Sequence, residues 1–538
     1  MSPFTKKDEQ VPQPDYDLMW AAIEKAAYKR QQNPNTDPAA RPQRGKLVPV
    51  SLVFSCALLI AIPAFAGVAI NWDKIGGRSV TNALNHGVGQ QYDLESSSSG
   101  VTMHLNGVVT DGDKMKMLVS LDTPDELTSY TGFSTESNTL TSQSSDKTKV
   151  TDSLYYDPDS KKLIGIYEAP DTLQDDTRDY RFEAQNLVFY VEREIPLQAR
   201  PQSGDTFHTG ATQYPTIQVE SIRHTSSQTV IRYKVAAEPS DSGRGAPQLV
   251  VGMDGQEKTA IPTYMPNTGS DVYIEQVFEL SEAEWKRSDV RFTFIEEARR
   301  IAGTWTFDFE ADGKKASEAM YTKKLQTSPE FLAKTGLTLK ELVVTPLNIQ
   351  IHIDQEDSLK KGIVHYNTAQ LVIGDRIITG SIVRGGSGSN QHILQFESPE
   401  WYKDWSAVPM QLQLKDAVIE KRDTSKNWAT LNTPTAEKQF TTIDVDGIEI
   451  QFAYYIDGEE LIVESSSHSP SFKRVSQTTL RIEGTEVVPE ILPRGMVPAE
   501  IFIDHYKNVP LDEKIELNPG IYRYSDPSRD TELDLKYN

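Results

Sequence analysis

The chain has 538 residues, with 55 Lys and Arg against 77 Asp and Glu, a net charge of -22 and one cysteine. That length allows several domains with ordinary cores, while so acidic a chain repels phosphates and excludes a nucleic-acid-binding face. With Cys56 the sole cysteine, everything beyond it stands without disulfides, which fits a bacterial surface and not a small secreted disulfide scaffold.

Residues 1–13 are polar and interrupted by Pro3 and Pro12. Asp15, after Pro14, reads as an N-cap, and Lys29 with Arg30 suits a helix C-terminus, so the pattern predicts a helix over 15–30. Tyr16, Met19, Trp20, Ile23 and Ala27 fall at helical spacing and make one apolar stripe. A lone helix of about four turns has no core of its own in which to bury that stripe. Two readings are open: Tyr16, Met19, Trp20 and Ile23 contact a groove on a partner protein, or the segment lies on a membrane or frays. Residues 31–43, with Pro34, Pro38 and Pro42, read as a linker.

Residues 47–70, LVPVSLVFSCALLIAIPAFAGVAI, carry no charge over 24 positions. Crossing a bilayer takes roughly 20 apolar residues, and a soluble amphipathic helix would show a polar face that this run lacks. Arg41, Arg44 and Lys46 precede it, and Trp72 follows at the level where tryptophan favours the interface. The expectation is one transmembrane helix, with the 46-residue tail cytoplasmic and residues 71–538 extracellular. Eight basic and six acidic residues precede Leu47, leaving 47 basic against 71 acidic beyond it. A rival reading is a signal peptide cut after Ala66, because Ala64-Phe65-Ala66 has the small-x-small pattern. Against it stand the long n-region and the continuation of the apolar run to Ile70; a buried soluble helix is a third reading.

Past the run the periodicity changes to two. Val101, Met103, Leu105 and Val109 alternate up to Asp111-Gly112-Asp113, and Met115, Met117, Val119 and Leu121 return, which predicts a hairpin with one buried face. A Ser/Thr-rich loop is expected over 134–149, with further strands at 163–167 and 180–191. The hairpin phrase recurs at Ile217 to Val235, at Leu347 to Tyr366 and at Ile448 to Val463. Starts spaced by roughly 100 to 130 residues are about the size of an immunoglobulin-like sandwich. The chain therefore reads as mainly β: a tail (1–46), a transmembrane helix (47–70) and tandem β-sandwich modules at 71–200, 201–330, 331–436 and 437–538. The second module is expected to end with the alternating aromatics of Trp305, Phe307 and Phe309. Short helices are expected at 281–287, where Ser281 and Glu284 resemble a capping box, and at 328–335.

Little chemistry is visible. The nine histidines are scattered without metal-ligand spacing; His352 and His365 sit on predicted strands as a candidate facing pair, too few ligands for a metal. Gly385-Gly386-Ser387-Gly388-Ser389 departs from a nucleophile elbow at its last position and reads as a flexible loop. Asp444-Val445-Asp446-Gly447 places its glycine too early for a calcium loop and reads as a turn, as does Asp157-Pro158-Asp159-Ser160. No phosphate-cradling loop is present. The sequence points to no enzyme, no catalytic or metal-binding residues and no cofactor.

One resemblance emerges from the layout. A short tail with one helix, an apolar run, Asn71-Trp72-Asp73, Gly77 to Asn85, the 101–121 hairpin and Gly303-Thr304-Trp305-Thr306-Phe307 together resemble the bacterial domain of unknown function 4179 family over residues 15–312. The part beyond about 335 resembles immunoglobulin-like modules appended to such ectodomains. The resemblance implies an anti-sigma-factor-like regulator of an extracytoplasmic-function sigma factor in Gram-positive bacteria. The tail would then hold a cytoplasmic sigma factor, and the ectodomain would report on an envelope condition or an extracellular ligand. The tail has neither His nor Cys, so a zinc-type anti-sigma domain is excluded. The alternative is a surface-anchored or secreted binding or structural protein without catalysis.

Overall fold

The computed structural model describes residues 70–535, apart from 125, 143–146, 171–172, 174–175, 225–226, 238–245, 259, 261, 266–270, 356–357, 385–390, 400–403, 425–426 and 490–501. These residues belong to one unit, Ala66–Asn538, and it is mainly β. Among the described residues no helix is long and apolar enough to cross a membrane; the apolar run lies outside them except for Ile70.

The period-two pattern folds as read in several places. Val101–Thr110 and Lys114–Asp122 pair antiparallel, with Thr110 opposite Met115 and Gly112 at a φ of 89° in the turn. Thr216–His224 pairs with Thr229–Val235, and Ile448–Asp457 with Glu460–Ser466. Ser281 and Glu284 form the capping box before Glu282–Trp285, and the Ser328 side chain accepts from the Phe331 N–H to cap Pro329–Thr335.

Other expectations are corrected. The polar stretch 134–149 is not a loop where it is described: Gly132–Ser142 and Lys147–Lys149 are strands. Its inward polar groups satisfy one another, since Thr135 Oγ1 lies 2.6 Å from Asn138 Oδ1 and Asn138 Nδ2 lies 3.1 Å from Asp152. Leu347 to Tyr366 is not a hairpin. Asn348–Gln355 pairs with Leu337–Val344 and Gln391–Glu397, whereas Ile363–Ile373 enters a different sheet beside Met410–Arg422. The two strands thus lie on different sheets, on either side of the third core.

Four principal cores result. An eleven-stranded sheet curls around the first, where Trp305, Phe182, Phe189, Tyr167 and Met117 are fully buried. Its far end packs against a five-stranded sheet to enclose the second core around Tyr214, Tyr233, Phe292 and Trp285. The third core lies between another five-stranded sheet and one half of an eight-stranded sheet; the fourth lies between the other half and a four-stranded sheet.

The cores are not strung strictly end to end. Thr177–Pro196 and Asp289–Asp312 run side by side through both of the first two. Trp305, Phe307 and Phe309, placed by the sequence pattern at the end of the second module, complete the first core. The pairing dictates this, because Thr304 to Asp312 lie opposite Gln185 to Thr177. The second pair repeats the plan. Met410–Arg422 pairs with Ile515–Ser525 at one end and with Thr531–Asp534 at the other, so the chain returns to the third core after building the fourth.

Candidate functional site

The sequence-derived contact residues Tyr16, Met19, Trp20 and Ile23 lie outside the described residues, as does the 385–389 loop. The two histidines do not meet across a hairpin, because they stand on different sheets. His352 bonds Gln350 at 3.2 Å and His365 bonds Glu420 at 3.3 Å. Asp444 to Gly447 is a hairpin turn: Asp444 Oδ1 accepts from the Gly447 N–H, and Asp446 and Gly447 have φ of 52° and 78°. Asp446 pairs with Lys421 at 2.8 Å. Asp157 to Ser160 is also a turn, gripped by Lys74 Nζ at 3.2 Å from Asp157 and 2.6 Å from Asp159. Among the described residues no group of three or more His, Cys, Asp or Glu could hold a metal ion.

Two contacts between the sandwich pairs stand out as places where buried polar side chains converge. The first joins modules one and three. Asp73–Asn85 forms a helix kinked at Gly77, whose φ of 74° and ψ of 169° interrupt it. Glu397, at the end of a third-module strand, accepts from the Ser79 N–H at 3.2 Å, so a carboxylate faces the N-terminus of the segment after the kink. A side chain at Gly77 would collide with that carboxylate. Beside it, Val80, Ala83, Val109, Leu118, Ile166 and Leu347 form a fifth apolar cluster, Leu347 coming from the third module. Asp111, only 2% exposed, closes its own turn through the Asp113 and Lys114 N–H groups and reaches Asn348 Nδ2 at 3.2 Å and Thr345 Oγ1 at 3.4 Å. Burial pushes its carboxyl above the ordinary value, against the opposing hydrogen bonds.

The second contact joins modules two and four. Ile231, Tyr233 and Ile274 point into the second core, yet Val277 and Glu275 outside that core are also buried. In the fourth module Leu461, Val463 and Tyr506 face the core, while Ile462 and Glu464, which alternation sends to the other side, are buried as well. Arg223 and Arg232 of the second module stand close enough to His505 of the fourth to act on its charge, and Arg223 likewise acts on Tyr455. The outward faces of the two sheets therefore cover each other. Arg232 is held by Glu275 at 2.6 Å, and Glu464 by Lys438 at 2.7 Å and Tyr455 at 2.9 Å.

An open cleft of about 520 Å³ lies between Pro329–Thr335 and Thr531–Asp534, lined by Glu330, Phe331, Lys334, Lys415, Asp530 and Glu532. Its charges are mixed in sign, and no single ligand chemistry follows from them.

Asp111 and His505 were not singled out by sequence reasoning. Asp111 read as an ordinary turn residue, and its partners Thr345 and Asn348 lie more than two hundred positions away. His505 has one faint signal, its alternation with the core-facing Tyr506.

No family model and no curated protein matches the chain. Among solved structures it is similar to a conserved domain protein from Bacillus anthracis at 11% identity, covering 58% of this chain and 90% of that one, with a TM-score of 0.17. It is also similar to a Ca2+-stabilised adhesin with which an Antarctic bacterium binds ice, at 12% identity, 82% and 98% coverage and a TM-score of 0.12. Scores this low carry no argument about fold or function.

Proposed function

We propose that the chain is a single-pass membrane signalling protein resembling anti-sigma factors. Residues 1–46 lie in the cytoplasm, 47–70 cross the membrane, and tandem immunoglobulin-like sandwiches outside sense or bind an extracellular ligand. The observation that carries the reading is an uncharged run of 24 residues, between a basic flank and a large acidic body, preceded by an amphipathic stripe with no core to cover it. A mainly β body that follows the run closely supports it. In this reading Tyr16, Met19, Trp20 and Ile23 seat in a groove on a sigma factor, and the protein performs no catalysis.

Burying Trp20 and Ile23 contributes a few kcal/mol, on the order of 1.5–3 for each large apolar side chain, so Trp20→Asp releases the partner. Affinity capture with the tagged full chain tests this: a sigma factor recovered with the wild type and lost with Trp20→Asp is the expected result. The same proteins recovered by both would end the groove-binding idea.

Ala64-Phe65-Ala66 favours a second reading, a secreted or surface-anchored binding or structural protein. There, deletion of residues 6–30 leaves transcription unchanged, whereas the regulator reading expects a transcriptional response.

A further inference from the structure

The contact between modules two and four includes a titratable group, His505. His505 lies on Phe502–Lys507, paired opposite Ile462, and its Nδ1 sits 2.8 Å from Glu460 Oε2. Its Nε2 is buried without a hydrogen-bond partner among the described residues. With Nδ1 donating to Glu460, a neutral ring leaves only a lone pair at Nε2. A second proton there would create a buried N–H with no acceptor, on a cation facing Arg223 and Arg232. Glu460 offsets part of that charge, but it is shared with Lys507 at 3.7 Å, and the buried carboxylates at this contact are otherwise engaged, Glu275 by Arg232 and Glu464 by Lys438 and Tyr455.

We propose that His505 is an acid-operated latch: its protonation parts the outward faces of the second and fourth modules, while the contact between the first and third, built around Leu347, stays closed. Burial, with Arg232 and Arg223, holds the imidazole below its ordinary 6.5 against the pull of Glu460. The closed form thus binds its proton more weakly than the open form, so closure is complete above pH 6.5 and is lost as pH falls below it. Within that window each pH unit weakens closure by up to about tenfold. The other contact does not open in the same range, because Asp111 is pushed the opposite way and the apolar cluster around Leu347 does not titrate. The proposal holds whether or not the tail binds a sigma factor.

Hydroxyl-radical footprinting of the full chain in detergent, at about pH 7.5 and about pH 5.5, reads the side chains directly. Modification of Tyr455 and Ile462 is expected to rise at least about threefold at the lower pH, with Trp305 and Leu347 unchanged. His505→Gln, which cannot take the charge, is expected to show no rise, and Arg223→Gln to shift opening to lower pH. Equal modification of the wild type at both pH values overturns the proposal, and so does full acid opening in His505→Gln. If His505→Gln does not fold, an unshifted opening in Arg223→Gln overturns it.

Discussion

Glu420 shows how one side chain ties two sandwiches together. It sits on a strand of the third core and accepts from His365 at 3.3 Å and, from strands that supply the fourth core, from Arg523 at 2.8 Å and Ser476 at 3.3 Å. Burial works against its ionisation, but His365 and Arg523 outweigh it and hold the carboxyl at about 2, below its ordinary 4.5. A depressed carboxyl stabilises the fold above its unfolded value, so this contribution is present above pH 4.5 and is lost as pH falls towards about 2. Glu420→Gln is expected to lower stability near neutral pH by about 2 kcal/mol and to flatten the acid limb in denaturant unfolding. An unchanged acid limb would show that Glu420 is not held by these partners. In the second core, Gln276 plays a neutral counterpart. Its amide donates to the Leu249 and Ala260 carbonyls at 3.1 and 2.9 Å, and its oxygen accepts from Tyr233 at 2.6 Å and the Leu249 N–H at 2.8 Å. Neither role was legible in the sequence. Alternation marks apolar positions as inward and is silent about a polar residue whose partners lie on another strand.

At the scale of elements, the first module closes in an unusual way. Gln90–Ser98 pairs by a backbone ladder with Val101–Thr110 on one side. On the other it meets Asp289–Asp312 through side chains. Ser98 accepts from the Thr304 N–H at 3.2 Å, Ser96 from the Thr306 N–H at 3.1 Å and Gln90 from the Asp312 N–H at 3.0 Å, while Ser99 and Tyr92 donate to the Ala302 and Glu310 carbonyls. Side-chain hydroxyls thus stand where a ladder would run, and they mask the strand edge. Successive N–H groups of a strand point to opposite sides, so Trp305 and Phe307 direct theirs towards the Thr177–Pro196 strand. Hydrogen exchange is expected to alternate, with Thr304 and Thr306 faster than Trp305 and Phe307. Replacing Ser96 and Ser98 together with Ala should widen that difference by about fivefold, each N–H losing one bond worth about 1 kcal/mol. Uniform protection in both proteins would mean that the seam is a true ladder. The hairpins at 101–121, 216–235 and 448–466 were legible because both strands and their turn are adjacent in sequence. The strand at Gly132–Ser142 was not, because its buried Thr135 and Asn138 imitate loop composition. The sheet change between Gln355 and Ile363 was not either, because periodicity says which face is buried and not which sheet receives it.

At the scale of the molecule, the described chain is two pairs of cores, each pair built on one continuous sheet and joined to the other through buried polar contacts and a small apolar cluster. The mainly β character was readable from pattern and length. The return of Trp305 to the first core and of Thr531–Asp534 to the third depends on pairing across long separations, which a linear pattern does not record. The functional account rests on the end of the chain that precedes this body, because a sensor outside and a partner inside require the two to remain joined. The mass and N-terminal sequence of the protein isolated from cell membranes test that most directly. An intact species of about 60.2 kDa that retains residues 1–46 is the predicted result. A soluble species beginning at Gly67 would contradict the account and leave a secreted binding protein.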